Sequence, residues 1–105
     1  MFGRTLLAPM SIALAALLLP AAAEAQSFNC RNARFADEIA ICESRLLSRL
    51  DVRMARLFFQ ARESDGGSEL GDDQDAWLRT RRACGGDEDC IEEAYRERIR
   101  ELREY

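Results

Sequence analysis

Four cysteines and two acidic runs are the residues of this chain whose types and spacing could do chemistry. Cys30, Cys42, Cys84 and Cys90 could bind a metal as thiolates or pair as disulfides. A four-thiolate zinc site usually leaves two to four residues between paired ligands. Here eleven residues separate the first two cysteines and five the last two, which favours oxidation. Cys30 with Cys42 and Cys84 with Cys90 is the pairing expected, since each closes a local loop at a helix end; the two crossed pairings stay open. The acids Asp72, Asp73 and Asp75, with Asp87, Glu88 and Asp89, are numerous enough to supply the carboxylate pair of a glycosidase. They fall at expected helix starts in solvent, where nothing sets one pKa apart from another, so complementing a helix dipole is the simpler role. The chain has no histidine, which removes the commonest general base and the commonest metal ligand. No enzymatic activity, metal or cofactor is expected.

The start of the chain carries an address. Met1 to Arg4 give a short positive start, Leu6 to Leu19 an apolar run broken only by Pro9 and Ser11, and Pro20 to Ala25 a tail of small residues. This is the pattern of a secretory signal peptide, residues 1–25, cut after Ala25 with Ala23 and Ala25 in the two small positions; a cut after Ala23 is the alternative. The run is short of the roughly 20 apolar residues that a membrane span needs. No cysteine stands at the cut to take a lipid. Residues 26–105 then make one small domain with no membrane span, in a periplasmic or secreted setting where cysteines oxidise. The formal net charge is −4, and removing Arg4 with Glu24 leaves it there, which argues against general nucleic-acid binding.

The elements that must position these residues are helices. From Ala36 to Ala61, Ile39, Cys42, Leu46, Leu50, Met54, Leu57, Phe58 and Ala61 recur at three and four residues with no glycine or proline between them, predicting one long helix. Asp37 and Glu38 in its first turn suit the positive end of the dipole. Arg45, Arg49, Arg53 and Arg56, with Glu43, form its solvated face. Glu63 to Gly71, centred on Gly66-Gly67-Ser68, reads as a flexible connection. A second helix follows, capped by Ser68 or by Asp72 or Asp73, and carrying Trp77, Leu78 and Arg81 on one face. It ends at Cys84, where Gly85 and Gly86 tolerate left-handed geometry. A third begins near Asp87 and repeats the apolar pattern with Ile91, Tyr95, Ile99 and Leu102. The expected fold is an all-α, three-helix bundle stapled by disulfides.

These residues together resemble a known family. Cys30, Ala33, Glu38, Ile41 and Cys42, then Leu47, Leu50 and Asp51, then the run Gln74-x-x-Trp77-Leu78-x-x-Arg81 with Cys84, then Cys90, Tyr95, Arg98, Ile99 and Leu102 are similar to the pattern of the lysozyme inhibitor LprI-like domain. The similarity spans nearly all of residues 26–105. It implies an exported, helical, cysteine-paired domain and, from the member that names the family, inhibition of lysozyme. Two features depart from the family pattern: Phe35-Ala36 stands where a Ser/Thr-Pro pair often opens the first helix, and the lipid-attachment cysteine of the naming member is absent.

Within that frame Trp77, Leu78, Tyr95 and Phe58 are expected in the core, since aromatic rings bury the most area per residue. Arg81 lies on the Trp77 face and is expected to pair with Glu38 or Asp51, fixing helix register. Asp87, Glu88 and Asp89, in a turn braced by Cys84 and Cys90, are the candidate surface for a protein partner, possible lysozyme included, because long-range attraction between an acidic patch and a basic protein raises the association rate. A structural or interaction module of the cell envelope, with no enzyme target, is the alternative.

Overall fold

The structure, a computed structural model, describes residues 27–65 and 67–105; the expected signal peptide lies outside them. A 3₁₀ turn (Cys30–Asn32) leads into four helices: α1 (Ala36–Glu43), α2 (Arg45–Asp65), α3 (Ser68–Ala83) and α4 (Glu88–Leu102). The described residues contain helices and no strand, as expected, but the helices number four rather than three. The long first helix divides at Ser44, whose backbone is extended at φ −112° and ψ 122°. Its Oγ accepts the N–H of Leu47 at 3.1 Å and so caps α2, while Ser48 Oγ donates across the break to the carbonyl of Ile41 at 2.8 Å. Serine offers the backbone an alternative to the helical bond, and here that alternative wins. The break also rotates the apolar seam. Ile41 and Leu47 are buried, whereas Ile39 and Leu46, expected in the core, are 41 % and 39 % exposed.

Two further expectations change at the α2–α3 junction. Because α2 continues to Asp65 and α3 starts at Ser68, the connection is shorter than the expected Glu63–Gly71, and Gly71 sits inside α3. Neither Ser68 nor Asp72 or Asp73 caps that helix; its N-cap is Gly67, which has no side chain to accept a bond. Glu69 in the first turn supplies the negative charge that the helix start favours.

The core forms where α2 crosses α4, the largest interface of the bundle, with α1 and α3 closing its sides. Leu47, Leu50 and Met54 from α2 meet Leu70 and Trp77 from α3 and Ile91, Tyr95, Ile99 and Leu102 from α4. The α4 stripe is buried along its whole length, as its spacing predicts. Each such aliphatic or aromatic side chain contributes about 1.5–3 kcal/mol when taken out of water. Arg45, Arg49, Arg53, Arg56 and Glu43 are all exposed on the opposite face. Both disulfides pair as expected: Cys30–Cys42 ties the 3₁₀ turn to the end of α1, and Cys84–Cys90 spans the α3–α4 turn. No helix among the described residues is long and apolar enough to cross a membrane.

Candidate functional site

The α3–α4 hairpin builds the surface on which the acidic residues stand. α3 ends at Ala83, Cys84 caps it, and Gly85 at φ +60° takes the left-handed position that an L side chain resists. The N–H of Asp87 then donates to the carbonyl of Cys84 at 3.2 Å, closing the turn. Asp87 is the N-cap of α4, its Oδ1 accepting from the N–H of Cys90 at 3.2 Å. The Cys84–Cys90 bridge, with Cα atoms 5.6 Å apart, fastens the same turn covalently. Asp87, Glu88 and Asp89 are all exposed. Their roles divide, however. Asp87 spends its carboxylate on the cap, and Glu88 and Asp89 remain as the outward acceptors.

Beneath the turn a buried polar network fixes how the helices meet. Arg81 of α3 donates from Nε to Asp37 Oδ2 at 2.8 Å and lies 3.9 Å from Asp51 Oδ1 through Nη1. The same Nη1 donates to the phenol oxygen of Tyr95 at 3.3 Å, and Tyr95 donates to Asp51 Oδ1 at 2.8 Å. Asp51 also accepts the N–H and the hydroxyl of Ser27, both at 2.7 Å, which pins the start of the described chain onto α2. All four central side chains are essentially inaccessible to water. The network therefore joins α1, α2, α3, α4 and the lead-in segment at one point. The expected pairing of Arg81 with Asp51 is present at the longer distance. The expected pairing with Glu38 is not: successive residues of a helix point about 100° apart, so Asp37 faces inward in its place. Glu38 instead accepts the N–H groups of Arg34 at 3.0 Å and Phe35 at 3.3 Å, taking over the capping that Phe35 cannot provide.

The electrostatics follow from burial. Burial pushes the Tyr95 phenol above its ordinary range, and the Asp51 carboxylate adds to the rise. For Arg81 burial works against the charge, but ionised Tyr95 and the carboxylates of Asp37 and Asp51 reverse the sign and hold the guanidinium above its ordinary value. Tyr95 is neutral at physiological pH, so there the two aspartates supply that effect. Phe28 and Trp77 cover the guanidinium at 5.4 Å and 5.7 Å from their ring centroids.

A second polar joint lies lower on the hairpin. Arg98 of α4 donates from Nε to Gln74 Oε1 at 2.9 Å and from Nη1 to Glu101 Oε1 at 3.1 Å, while Gln74 Nε2 points to Met54 Sδ at 3.2 Å. Trp77 Nε1 donates to the carbonyl of Ala94 at 3.0 Å, and its ring sits 5.3 Å from that of Tyr95. Trp77 is thus core, and Leu78 is half-buried against the core. Asp37, Ser27 and Tyr95 are the members of the Arg81 network to which the sequence assigned no pairing role, Tyr95 being expected only as core.

Chemically the arrangement holds and presents. No group of three histidine, cysteine, aspartate or glutamate side chains converges as a metal site among the described residues. Asp72, Asp73 and Asp75 are exposed on α3. No family model matches this chain, nor does any curated protein or any solved structure. Function therefore rests on the surface and the sequence pattern alone.

Proposed function

We propose that residues 26–105 are an exported, non-enzymatic protein-binding domain of the lysozyme inhibitor LprI-like kind, freed into the periplasm or beyond by removal of residues 1–25. The observation that carries this reading is the exposed acidic turn, Glu88 and Asp89 above all, held by a disulfide, a left-handed glycine and an N-cap. A turn ordered before it meets its partner loses little further entropy on binding. A lysozyme of the common animal type is a basic protein with an acidic pair in its cleft, so such a turn gains association rate from long-range attraction. The experiment is a titration of lysozyme activity with the purified mature domain, oxidised and reduced side by side. Inhibition at micromolar concentration is expected from the oxidised form. E88Q/D89N is expected to weaken it and its salt dependence, while D87N, which keeps a capping oxygen, leaves the turn in place. No loss of lysozyme activity at micromolar domain removes the reading.

One observation favours the second reading, an interaction module of the envelope without an enzyme target. Most of the residues that carry the family resemblance, among them Asp51, Gln74, Trp77, Arg81 and Tyr95, are interior. They specify the bundle and leave its partner open. A null lysozyme titration together with recovery of one stoichiometric native partner from periplasmic extract is the result expected on that reading.

A further inference from the structure

The exposed side of α2 carries a row of cations. Arg45, Arg49, Arg53 and Arg56 are all exposed, fall within about 80° of one another at the helical repeat, and extend over roughly 16 Å of the axis. None of the four meets a carboxylate among the described residues, whereas Arg81, Arg96 and Arg98 each do. Between Glu43 and Glu63 the only acid is Asp51, and it is buried. Residues 44–62 therefore hold five arginines against one carboxylate, while residues 68–105 hold seven against twelve acids. The net charge of −4 conceals two unlike sides.

Arginines alone make only a solvated face. What distinguishes this one is the open apolar surface that adjoins it. Phe59, three residues on from Arg56 and so its neighbour on the helix, is 55 % exposed, and Arg62 lies over its ring at 5.7 Å. Leu46, on the other flank of the row, is 39 % exposed. Phe59 also lines a groove of about 280 Å³ with the apolar side chains of Phe28, Met54, Phe58 and Leu78, and the exposed Arg82, stacked 3.8 Å over Phe35, belongs to the same lining. A nucleic-acid duplex offers phosphates to the arginines but nothing apolar to Phe59 or the groove. An anionic phospholipid offers a phosphate and a hydrocarbon chain in one molecule, repeated across a plane.

We infer that the α2 face docks the domain on an anionic phospholipid bilayer, with Arg45, Arg49, Arg53 and Arg56 on the headgroup phosphates and Phe59 entering the apolar boundary beside them. The occupant follows from charge complementarity along the row and from the apolar surface next to it. Each basic residue near an anionic bilayer adds to the attraction, and an arginine lays its stem along apolar surface while its head stays among the phosphates. The acids of α3 and α4 do not cancel this. A helix is about 10 Å across, so carboxylates on the far side of the bundle lie beyond a Debye length of about 8 Å. This face is separate from the acidic turn and does not rest on the reading given to it.

The mature domain is mixed with vesicles of phosphatidylglycerol and phosphatidylcholine, or of phosphatidylcholine alone, and the bound fraction is read by sedimenting the vesicles. The residues that build the core and both disulfides all follow Ser27, so the domain is tested without residues 1–25, whose apolar run enters a bilayer by itself. Half is expected to be bound at about 1 mM of the anionic lipid mixture, less as salt rises, and little on phosphatidylcholine alone. R49Q/R53Q, a change of two exposed side chains, is expected to lower the partition coefficient roughly thirtyfold, and F59S to lower it several-fold, with helical dichroism unchanged in both. Equal binding to phosphatidylcholine, or undiminished binding in R49Q/R53Q, overturns the site. Undiminished binding in F59S, or binding to duplex DNA as tight as to the vesicles, overturns the choice of a lipid. A dimer in lipid-free solution that R49Q/R53Q dissolves assigns the face to a second copy and overturns it likewise. Because no lysozyme enters this experiment, its failure and that of the inhibition assay are separate results.

Discussion

Removing each disulfide in turn separates what the staples do for stability from what one of them does for the turn. Cys30 and Cys42 are 12 residues apart, and Cys84 and Cys90 are 6 apart. The loop entropy withdrawn from the unfolded chain is then about 3 kcal/mol for the first bridge and about 2 kcal/mol for the second. A domain of roughly 80 residues is stable by about 4–12 kcal/mol in all. Neither bridge is negligible on that scale. Cys90 is exposed, and Cys42 and Cys84 are only partly buried, so alanine removes little core with the sulfur. At about 4–8 °C per kcal/mol, C30A/C42A lowers the thermal midpoint by roughly 15 °C and C84A/C90A by roughly 10 °C, read by circular dichroism at one pH and ionic strength. The binding readout runs in the opposite order. On the proposed inhibition of lysozyme, C84A/C90A, which loosens the turn that carries Glu88 and Asp89, is expected to weaken it, whereas C30A/C42A, the less stable variant, is expected to keep it when assayed where both remain folded. Inhibition that survives in C84A/C90A with an unchanged constant refutes the role given to the braced turn. A midpoint unmoved in both variants refutes the claim that the bundle depends on its staples.

Tyr95→Phe removes a donor to Asp51 at 2.8 Å and an acceptor for Arg81 at 3.3 Å, and urea denaturation is expected to show a loss of about 2 kcal/mol; a variant as stable as the parent refutes the network's weight. Because the folded chain holds the Tyr95 phenol above its unfolded value of 10.0, the stability it contributes is complete below pH 10 and is lost as pH rises beyond it. In Y105F, where Tyr95 is the only tyrosine left, the ultraviolet tyrosinate step is expected to coincide with loss of helical dichroism; a phenolate forming in a still-folded chain contradicts the burial argument. Ser44→Ala deletes the cap of α2 and is expected to cost about 1 kcal/mol in the same denaturation experiment, against no change if the break at Ser44 is held by packing alone.

Much of the bundle is legible in the sequence because local chemistry and tertiary structure agree over most of its length. The glycines after Cys84, the acids after Gly86 and the stripe from Ile91 to Leu102 each ask for what the fold delivers. Ser44 is different. The apolar residues on either side of it keep helical spacing, and serine does not forbid a helix as proline does, so periodicity runs through a point where the chain turns. Once the chain breaks there, the phase read from Ile39 and Leu46 is wrong by one or two residues, and Ile41 and Leu47 fill the core. The same small angular step explains the exchange of Glu38 for Asp37 beside Arg81. Two adjacent acids in a first turn are equivalent to the dipole but not to the interior, and only the packing of α1 against α3 decides which one meets the guanidinium. The lower joint was illegible for another reason. Arg98 and Gln74 sit 24 residues apart, and nothing local to either announces a buried bond between α3 and α4.

The division between interior and surface also bears on how a partner can be selected. Removing one member of a buried ion pair leaves the other charge uncompensated and typically costs 3–5 kcal/mol, so Asp37 and Arg81 are constrained by folding alone. The lost phenol of a Tyr95 variant costs about 2 kcal/mol on the same account. Glu88, Asp89, Glu97 and Glu104 carry no such constraint, since all are exposed. Changing them alters the field that an approaching protein meets while leaving the bundle as it is. A fixed interior with a variable acidic rim lets one helical hairpin hold its shape while its partner changes. On this account the charge of the rim sets the salt dependence and rate of association, and the stapled turn sets how much order must be imposed on contact.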